Sequence, residues 1–480
     1  MTSEETYQPN LFGPALLKQM AEESGEKPHD MLVNSQSNDP FFVGYQPRTL
    51  GQAKWFSDIF YQFRKYKIQS TGNRDPIINI RQIHYWLQSL QNPLMHNGKP
   101  YENTSDCAEY LNNAAKYART LDMVPYGMIS DLKNDQVQEN AYKNAEYYNL
   151  ACEADIDTLK YSKPEVTITI GDIEKVKSQV YTTSSLINVA SAVYDALQPY
   201  HVEIWIEKST HNDILEPLCR RYNVNLMVFS GEPSATRIFE LVERAKRVNK
   251  PVRILYVSDF DPRGYLMPSN AARKIEFHLL HDYLDLDIKL EPIILTYAQR
   301  QFYQLPTTPT KSGDKAAPAF IRKFGENAAA ELDALEALHP GEFARIVEGS
   351  ILKYYDQDLR EMCKSFIEDR GDDWDEKCES YIEEANEQIT RLNKQIADIR
   401  SKYQTEVERL NTALASDIQP IIDKIDKLST EVKEKEKELK DGFELELPEA
   451  DLDPDDEECL YDSARSYLEQ LDYQKDYRPK

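Results

Sequence analysis

The sequence has 480 residues and a formal net charge of −25, with 41% hydrophobic and 29% charged residues, which predicts two or three globular domains with an added polar segment. It has no apolar run of about 18 residues and starts with an acidic, polar stretch, so we expect neither a membrane span nor a signal peptide. Its six scattered cysteines form no Cys-x-x-Cys pair, which argues against a zinc site or a disulfide framework and indicates a cytoplasmic protein.

Polar residues and prolines dominate residues 1–45, which predicts an N-terminal arm ahead of the first domain. Residues 46–150 are predicted to form that domain. A helix is expected over Ala53–Lys67, where apolar side chains recur at spacings of three and four and therefore form one face. These side chains are Phe56, Ile59, Phe60 and Phe63.

A second helix is expected to start near Ile80 and to carry Arg81 and Tyr85. Residues at i and i+4 share one helix face, so the guanidinium can lie beside the phenol ring. A cation in that place favours the phenolate, and it can also hold a phosphate by two parallel hydrogen bonds. The same spacing is typical of a cation–π or packing pair, so both interpretations stay open.

A third helix is expected around Lys116 and Arg119, followed by a turn and a closing strand near Ile129. The two cations can contact phosphates, or they can belong to a solvated helix face. Further cations precede the second helix and form a local basic surface in an acidic chain. They are Arg64, Lys65, Lys67 and Arg74.

Residues 151–199 are predicted to be a connector with a helix from about Tyr181 to Val193, and residues 200–360 to form a second domain. Within that domain, apolar strand-like stretches alternate with helical ones. Strands that alternate with helices predict a parallel sheet with right-handed crossovers. The expected strands are Val202–Ile206, Asn225–Phe229, Ile254–Val257 and Lys289–Leu295.

Carboxylates follow two of these strands. Glu207 comes directly after the first strand, and Asp259 and Asp261 follow the third. A strand that ends in a carboxylate delivers it to the carboxyl edge of the sheet, and residues at i and i+2 of an extended chain point to the same side. Such an all-oxygen set suits Mg²⁺. Because Asp is also a common helix cap and turn residue, a structural role is the alternative.

The order of these motifs resembles a Toprim domain, in the version found in the A subunit of topoisomerase VI and the related meiotic double-strand-break transesterase. The resemblance implies that Glu207, Asp259 and Asp261 hold Mg²⁺ or Mn²⁺ at a DNA cleavage site. It also implies an α/β Toprim fold with a Rossmann-like parallel sheet. The residues that carry it are Glu207, Gly231-Glu232-Pro233 with Thr236-Arg237, and Asp259-Phe260-Asp261-Pro262-Arg263-Gly264.

The same family has a winged-helix domain before its Toprim domain, with an arginine and, four residues later, the tyrosine that attacks DNA. Arg81 and Tyr85 match that spacing, but His84 stands where the family has an aromatic residue before the nucleophile. The resemblance implies a winged-helix-like domain over residues 46–150 and a homodimer in which Tyr85 faces the metal of the other subunit. The candidate DNA contacts are then Arg64, Lys65, Lys67, Arg74, Lys116 and Arg119.

An acidic turn with Glu331 and Asp333 resembles one that proteins of this type carry after the Toprim domain. The resemblance makes both residues candidates for additional metal ligands. The alternative is that they are the acidic first turn of a helix, which the helix dipole favours.

Residues 376–440 are predicted to form a coiled-coil segment, because apolar residues recur there at alternating spacings of three and four. Pro420 is unfavourable inside a helix, so we expect two helices joined near residues 416–420. They can fold back as an antiparallel hairpin, or one kinked rod can dimerise. Residues 441–480 are predicted to be an acidic linker and a short terminal helix.

Three functions remain open from the sequence. The first is Mg²⁺-dependent cleavage of double-stranded DNA, as the nuclease subunit of a multi-subunit DNA-processing or defence system. The second is a topoisomerase VI A-like transesterase that uses Tyr85 and a separate ATPase subunit, because the 16 glycines form no ATPase motif. The third is a non-catalytic DNA-binding scaffold. The net charge does not exclude DNA, because residues 371–480 hold 32 acidic and 16 basic residues.

Overall fold

The computed structural model divides the chain into two compact units, each built from segments that are separate in sequence. Unit 1 comprises Met1–Tyr142, Pro199–Tyr355 and Leu452–Lys480, and unit 2 comprises Lys143–Gln198 and Asp356–Asp451. The structure describes residues 8–33, 35–131, 136–141, 152–161, 171–182, 197–310, 314, 316–403, 411–441, 443, 449–452 and 459–476.

Strands and helices alternate along much of the described chain. The strands are β1 Ile78–Asn79, β2 Ile129–Ser130, β3 Cys152–Ile156, β4 Ser178–Thr182, β5 His201–Ile206, β6 Asn225–Val228, β7 Val252–Val257, β8 Ile288–Ile294 and β9 Tyr461–Asp462. The helices are α1 Phe12–Ser24, α2 Pro47–Thr71, α3 Ile80–Gln88, α4 Ser105–Thr120, α5 Asn212–Arg221, α6 Ala235–Val248, α7 Pro262–His281, α8 Tyr297–Phe302, α9 Ala317–Phe324, α10 Leu332–Leu338, α11 Glu342–Ile351, α12 Leu359–Tyr403, α13 Asn411–Lys440 and α14 Tyr467–Asp476. None of these helices is both long and apolar enough to span a membrane.

A mostly parallel sheet lies at the centre of unit 1, with the strand order β6-β5-β7-β8-β9. Strands β5 to β8 pair in parallel, and β9 joins the edge antiparallel to β8. The predicted mixed α/β fold with a parallel sheet is therefore confirmed at this level. Ile206 at the end of β5 lies opposite Val257 at the end of β7, so both strands end at the same edge of the sheet.

Both faces of the sheet are covered, which explains why the central strands are apolar almost throughout. Side chains alternate between two cores: Ile204 and Ile206 face one, and Trp205 faces the other with Tyr256. The first core also includes residues of α5, α10 and α11, and the second includes residues of α6 and α7.

The helices α2, α3 and α4 pack around a separate core within unit 1, which includes the predicted face of Phe56, Ile59, Phe60 and Phe63. Strands β1 and β2 form a two-residue parallel pair beside them. This is a helical layer with a minimal sheet, and its assignment as a winged helix stays a prediction.

The predicted polar N-terminal arm is wrong for residues 8–33 and 35–45, which pack into unit 1. Leu17 of α1, Met31 and Phe41 are buried in one cluster with residues of α7 and α14. The buried guanidinium of Arg273 contacts Asp39 at 3.2 Å, which ties this segment to α7. The segment is mostly polar, which suggested an arm, but burial of a few large apolar side chains is enough to anchor it.

Unit 2 combines an antiparallel hairpin of β3 and β4 with the two long helices α12 and α13. The helices run antiparallel, because Trp374 in the first half of α12 packs on Phe443 just beyond the end of α13, with ring centroids 4.7 Å apart. An extended segment lies along α12, where Asn386 and Asn393 accept hydrogen bonds from the backbone N–H groups of Val176 and Ile173, each at 2.8 Å.

Two predictions for unit 2 are wrong. Tyr181 belongs to β4 instead of starting a helix, because it pairs with β3; residues 183–193 of that predicted helix lie outside the described residues. The chain is also helical through residues 416–420, with Pro420 inside α13. Burial of Ile418, Ile421 and Ile425 at about 2 kcal/mol each outweighs the cost of about 3 kcal/mol for the proline.

Candidate active site at the carboxyl edge of the sheet

The ends of β5 and β7 bring three of the predicted site residues to one edge of the sheet. Glu207 follows β5 directly, and its backbone N–H donates to the carbonyl of Val257 at 3.3 Å. Asp259 and Asp261 lie in the turn that leaves β7. Parallel pairing of these two strands is therefore what joins carboxylates about fifty residues apart in sequence.

The turn after β7 has its alternating side chains on opposite sides. Phe260 is buried among aromatic side chains of the core, and its backbone forms an antiparallel bridge with Ala330. Asp261 caps α7, because its Oδ1 accepts hydrogen bonds from the N–H groups of Arg263 at 2.9 Å and Gly264 at 2.6 Å. The predicted capping role of an aspartate is thus real for Asp261, and it uses one of the two carboxylate oxygens.

Gly264 is required by the close approach of this turn to α7. A Cβ at position 264 would overlap the carbonyl oxygen of Asp259 and would lie 3.3 Å from Oδ1 of Asp261. Pro262 fits because it occupies the first turn of the helix, where no backbone N–H is needed. The Asp-x-Asp-Pro-x-Gly pattern therefore has a local structural reason at nearly every position.

Asp259 is the most buried of the three carboxylates, and two groups contact it. Its Oδ1 accepts the backbone N–H of Leu332 at 2.7 Å, and its Oδ2 forms an ion pair with the ammonium of Lys208. Lys208 also contacts Glu331 Oε2 at 2.9 Å. The ammonium therefore joins the ends of β5 and β7 to the acidic turn before α10.

The pKa of Glu207 reflects both burial and charge repulsion at this edge. Burial, followed by the charges of Asp259 and Asp261, raises the pKa of Glu207 to about 7, and Glu331 adds to this while Lys208 opposes it. Partial burial lowers the pKa of Lys208, but its hydrogen bonds to Asp259 and Glu331 outweigh this and raise the pKa above its usual value. The ammonium of Lys208 thus acts on Glu207, Asp259 and Glu331, while Asp261 acts on Glu207.

The two additional acidic candidates lie in different environments. Glu331 belongs to the cluster through Lys208, as described above. Asp333 instead lies 3.0 Å from Nε2 of the buried His211, although the two groups are not aligned for a hydrogen bond. The structure therefore groups Glu207, Asp259, Asp261 and Glu331, and places Asp333 beside His211.

The cluster has the donor chemistry that suits a hard divalent cation, because its donors are carboxylate oxygens and a cationic group already lies among them. As the side chains stand, no set of three His, Cys, Asp or Glu residues in the described part of the chain is close enough to hold a metal ion. Instead, the ammonium of Lys208 forms ion pairs with Asp259 and Glu331.

Arg81 and Tyr85 lie on α3 as predicted, with the guanidinium carbon 5.8 Å from the centre of the phenol ring. Tyr85 is half exposed, whereas His84 is buried and its Nδ1 lies 2.6 Å from the hydroxyl of Tyr101. Among the described residues, no hydrogen bond or ion pair joins Tyr85 to the acidic cluster. Because His84 is buried against Tyr101, it is a packing residue, and Tyr85 is the side chain that faces solvent.

The predicted DNA contacts divide into surface and interior cations. Arg119 is buried and donates to the hydroxyl of Thr236 at 2.7 Å, so the prediction that it contacts DNA is wrong. Its guanidinium also lies over the ring of Tyr126, where it packs α4 against α6. Lys116 is partly buried beside Asn38, and burial, together with nearby Lys274, lowers its pKa to about 8.

The other four cations lie at the end of α2 and in the loop before β1. Lys65 and Arg74 are exposed, Lys67 donates to Gln82 at 2.8 Å, and Arg64 forms an ion pair with Asp75 at 2.9 Å. These residues stay candidates for DNA contacts.

Sequence reasoning missed Lys208 and His211, which both follow β5 closely. Lys208 could have been found, because it directly follows Glu207 at an edge where several acids converge. His211 could not have been found in this way, because Asp333, which lies beside it in the structure, is more than a hundred residues away in sequence.

No family model and no curated protein matches this chain.

Proposed function

We propose that this protein cleaves DNA with a divalent metal ion, Mg²⁺ or Mn²⁺, held at the carboxylates that follow β5 and β7. The observation that carries the proposal is the convergence of Glu207, Asp259, Asp261 and Glu331 at one sheet edge, where burial and then repulsion by the neighbouring carboxylates raise the pKa of Glu207 to about 7. Such a set costs free energy without a cation and favours binding one. The sequence pattern, which resembles a Toprim domain, points to the same chemistry.

In this proposal Glu207, Asp259 and Asp261 hold the metal ion, and Glu331 is an additional ligand or a partner of Lys208. A bound Mg²⁺ supplies charge stabilisation at a phosphate and favours deprotonation of an attacking water. Asp261 can cap α7 with Oδ1 and still offer Oδ2, which accepts no hydrogen bond from a described residue. When Lys208 leaves Asp259, its ammonium becomes available to a phosphate oxygen of the DNA.

Nicking of a supercoiled plasmid tests this proposal. We expect cleavage with Mg²⁺ or Mn²⁺, none with EDTA, and a loss of about 100-fold or more in Glu207→Gln and Asp259→Asn, because each removes a charge from the site. Glu216→Gln is the matched control, since Glu216 pairs with Arg220 on α5 at 3.1 Å, away from the cluster. Full cleavage by a folded Glu207→Gln variant would contradict the proposed metal site, whereas DNA binding without any cleavage by the original chain would favour a DNA-binding scaffold.

A second candidate is a transesterase in which Tyr85 attacks the phosphate, supported by its exposure and by the guanidinium of Arg81 beside the ring. It needs a homodimer and a separate ATPase subunit. Tyr85→Phe separates the two candidates, because it removes only the hydroxyl. We expect the variant to keep cleaving by hydrolysis; loss of cleavage together with loss of protein-linked DNA ends would favour the transesterase.

A further inference from the structure

A continuous exposed surface of unit 1 is formed by the end of α2, the loop before β1 and the exposed side of α3; we call it the α2–α3 face. Two hydrogen bonds of one lysine join its parts: Lys67 Nζ donates to Gln82 Oε1 at 2.8 Å and to the carbonyl of Ile77 at 3.4 Å. The face comprises Arg64, Lys65, Tyr66, Lys67, Arg74, Ile77, Arg81, Gln82 and Tyr85.

The α2–α3 face is positive in a strongly negative chain. Residues 64–81 contain five Lys or Arg and a single acid, Asp75, whereas the whole chain has a net charge of −25. Asp75 engages Arg64, so four cations lack a carboxylate partner of their own within this stretch of sequence. A local excess of positive charge of this kind complements a polyanion such as a nucleic acid backbone.

The same face exposes aromatic rings that pack on neighbouring side chains. Tyr66 and Tyr85 are each 52% exposed, and Ile77 is 63% exposed. The ring of Tyr66 packs against Trp86 of α3 with centroids 6.3 Å apart, and the ring of Tyr85 lies 5.3 Å from the imidazole of buried His84. Each tyrosine therefore presents a supported ring to solvent, among cations, without being part of the core.

We infer that the α2–α3 face binds an unpaired DNA strand, with bases stacked on Tyr66 and Tyr85 and phosphates on the surrounding cations. Aromatic rings between cations are the pattern of single-strand binding, because every base has a ring face on which an aromatic side chain can stack. In a duplex those ring faces are covered by neighbouring bases. The inference rests on the proposed function for its ligand, and it adds that the substrate is locally unpaired.

Fluorescence anisotropy with a fluorescein-labelled oligothymidine, in EDTA so that no cleavage occurs, tests the inference. We expect Tyr66→Ala and Tyr85→Ala each to weaken binding about 10-fold, the loss typical for one stacked base, while the Phe variants bind like the original chain. Tyr283→Ala is the matched control, because Tyr283 is 87% exposed just beyond α7, outside this face, and its loss should leave binding unchanged.

A blunt duplex of the same length provides the second comparison, and we expect it to bind about 10-fold more weakly than the single strand. Equal losses in Tyr283→Ala and Tyr66→Ala would overturn the inference, as would duplex binding at least as tight as single-strand binding. Plasmid nicking that depends on Glu207, combined with oligothymidine binding that ignores both tyrosines, would refute this inference alone. Tyrosine-dependent binding without any nicking would refute only the cleavage proposal.

Discussion

Replacing Lys208 with Met tests whether the acids at the sheet edge act as one charged cluster. The ammonium contacts both Asp259 and Glu331, and Asp259 is buried, so its removal leaves that carboxylate without its cation. A hydrogen bond between charged groups contributes about 1.5 to 3 kcal/mol, and Lys208 is 36% exposed, so we expect the free energy of unfolding in EDTA to fall by about 2 kcal/mol. The pKa of Glu207 should rise further, because the charge of Lys208, which opposes this rise, is gone.

Urea unfolding in EDTA and in millimolar MgCl₂ measures this effect. Without the competing ammonium, Mg²⁺ should stabilise Lys208→Met more than the original chain, since binding to the native state alone adds stability. Lys246→Met is the matched control, because Lys246 is also 36% exposed and forms a surface pair with Glu243 at 2.7 Å. It should cost at most about 0.5 kcal/mol and leave the Mg²⁺ effect unchanged. Equal losses in both variants, or no added gain from Mg²⁺, would refute the idea of a shared cluster.

Three further substitutions probe the fold. Gly264→Ala should cost about 1 to 3 kcal/mol in urea unfolding, because the new methyl group overlaps the preceding turn, whereas Gly349→Ala, with open space around it, should not destabilise. His281 contacts Asp122 at 2.9 Å, and its hydrogen bonds raise its pKa from 6.5 to about 9. The resulting stabilisation, at most about 3 kcal/mol, should be complete below pH 6.5 and lost as the pH rises through 9; a His281→Gln variant that keeps this pH dependence would contradict it. Pro420→Ala should raise the melting temperature, because the exposed position regains a helical N–H at a gain of about 2 kcal/mol, and a lower melting temperature would contradict this.

The positions of Glu207, Asp259 and Asp261 could be predicted because each depends on a local signal. An apolar run marks a buried strand, and the carboxyl ends of parallel strands meet at one edge. The helix face of Phe56 and Phe63 was readable for the same reason, since its period lies within one element.

What could not be predicted depends on contacts between residues distant in sequence. Arg119 looks like a surface cation until α6 places Thr236 beside it. Glu203 lies within an apolar strand, and the structure shows why it is tolerated there: Arg244 donates two hydrogen bonds to its carboxylate, at 2.8 and 2.9 Å. A buried acid of this kind does predict a cationic partner, but the sequence alone does not say which one.

The C-terminal stretch 441–480 shows a different limit. It was predicted as an acidic linker with a terminal helix, and α14 is such a helix, but β9 also pairs with β8 at the edge of the sheet. Two residues carry too little pattern to be recognised as a strand. The return of the chain to the sheet follows instead from the unpaired edge that β8 would otherwise expose.

The acidity of the chain and the binding of DNA can be reconciled through the range of electrostatic forces. At physiological ionic strength the field of a distant exposed charge is screened over about 8 Å, so most of the acids act weakly on DNA bound at the α2–α3 face. Four cations there, Lys65, Lys67, Arg74 and Arg81, then set the salt dependence. Because single strands release about 0.7 counterion per neutralised phosphate, the logarithm of the oligothymidine affinity should fall against the logarithm of salt concentration with a slope of about −3. Lys67→Gln should reduce that slope by about 0.7, whereas Tyr66→Ala should weaken binding without changing it. A slope near zero in the original chain would mean that the cations of this face do not contact phosphates.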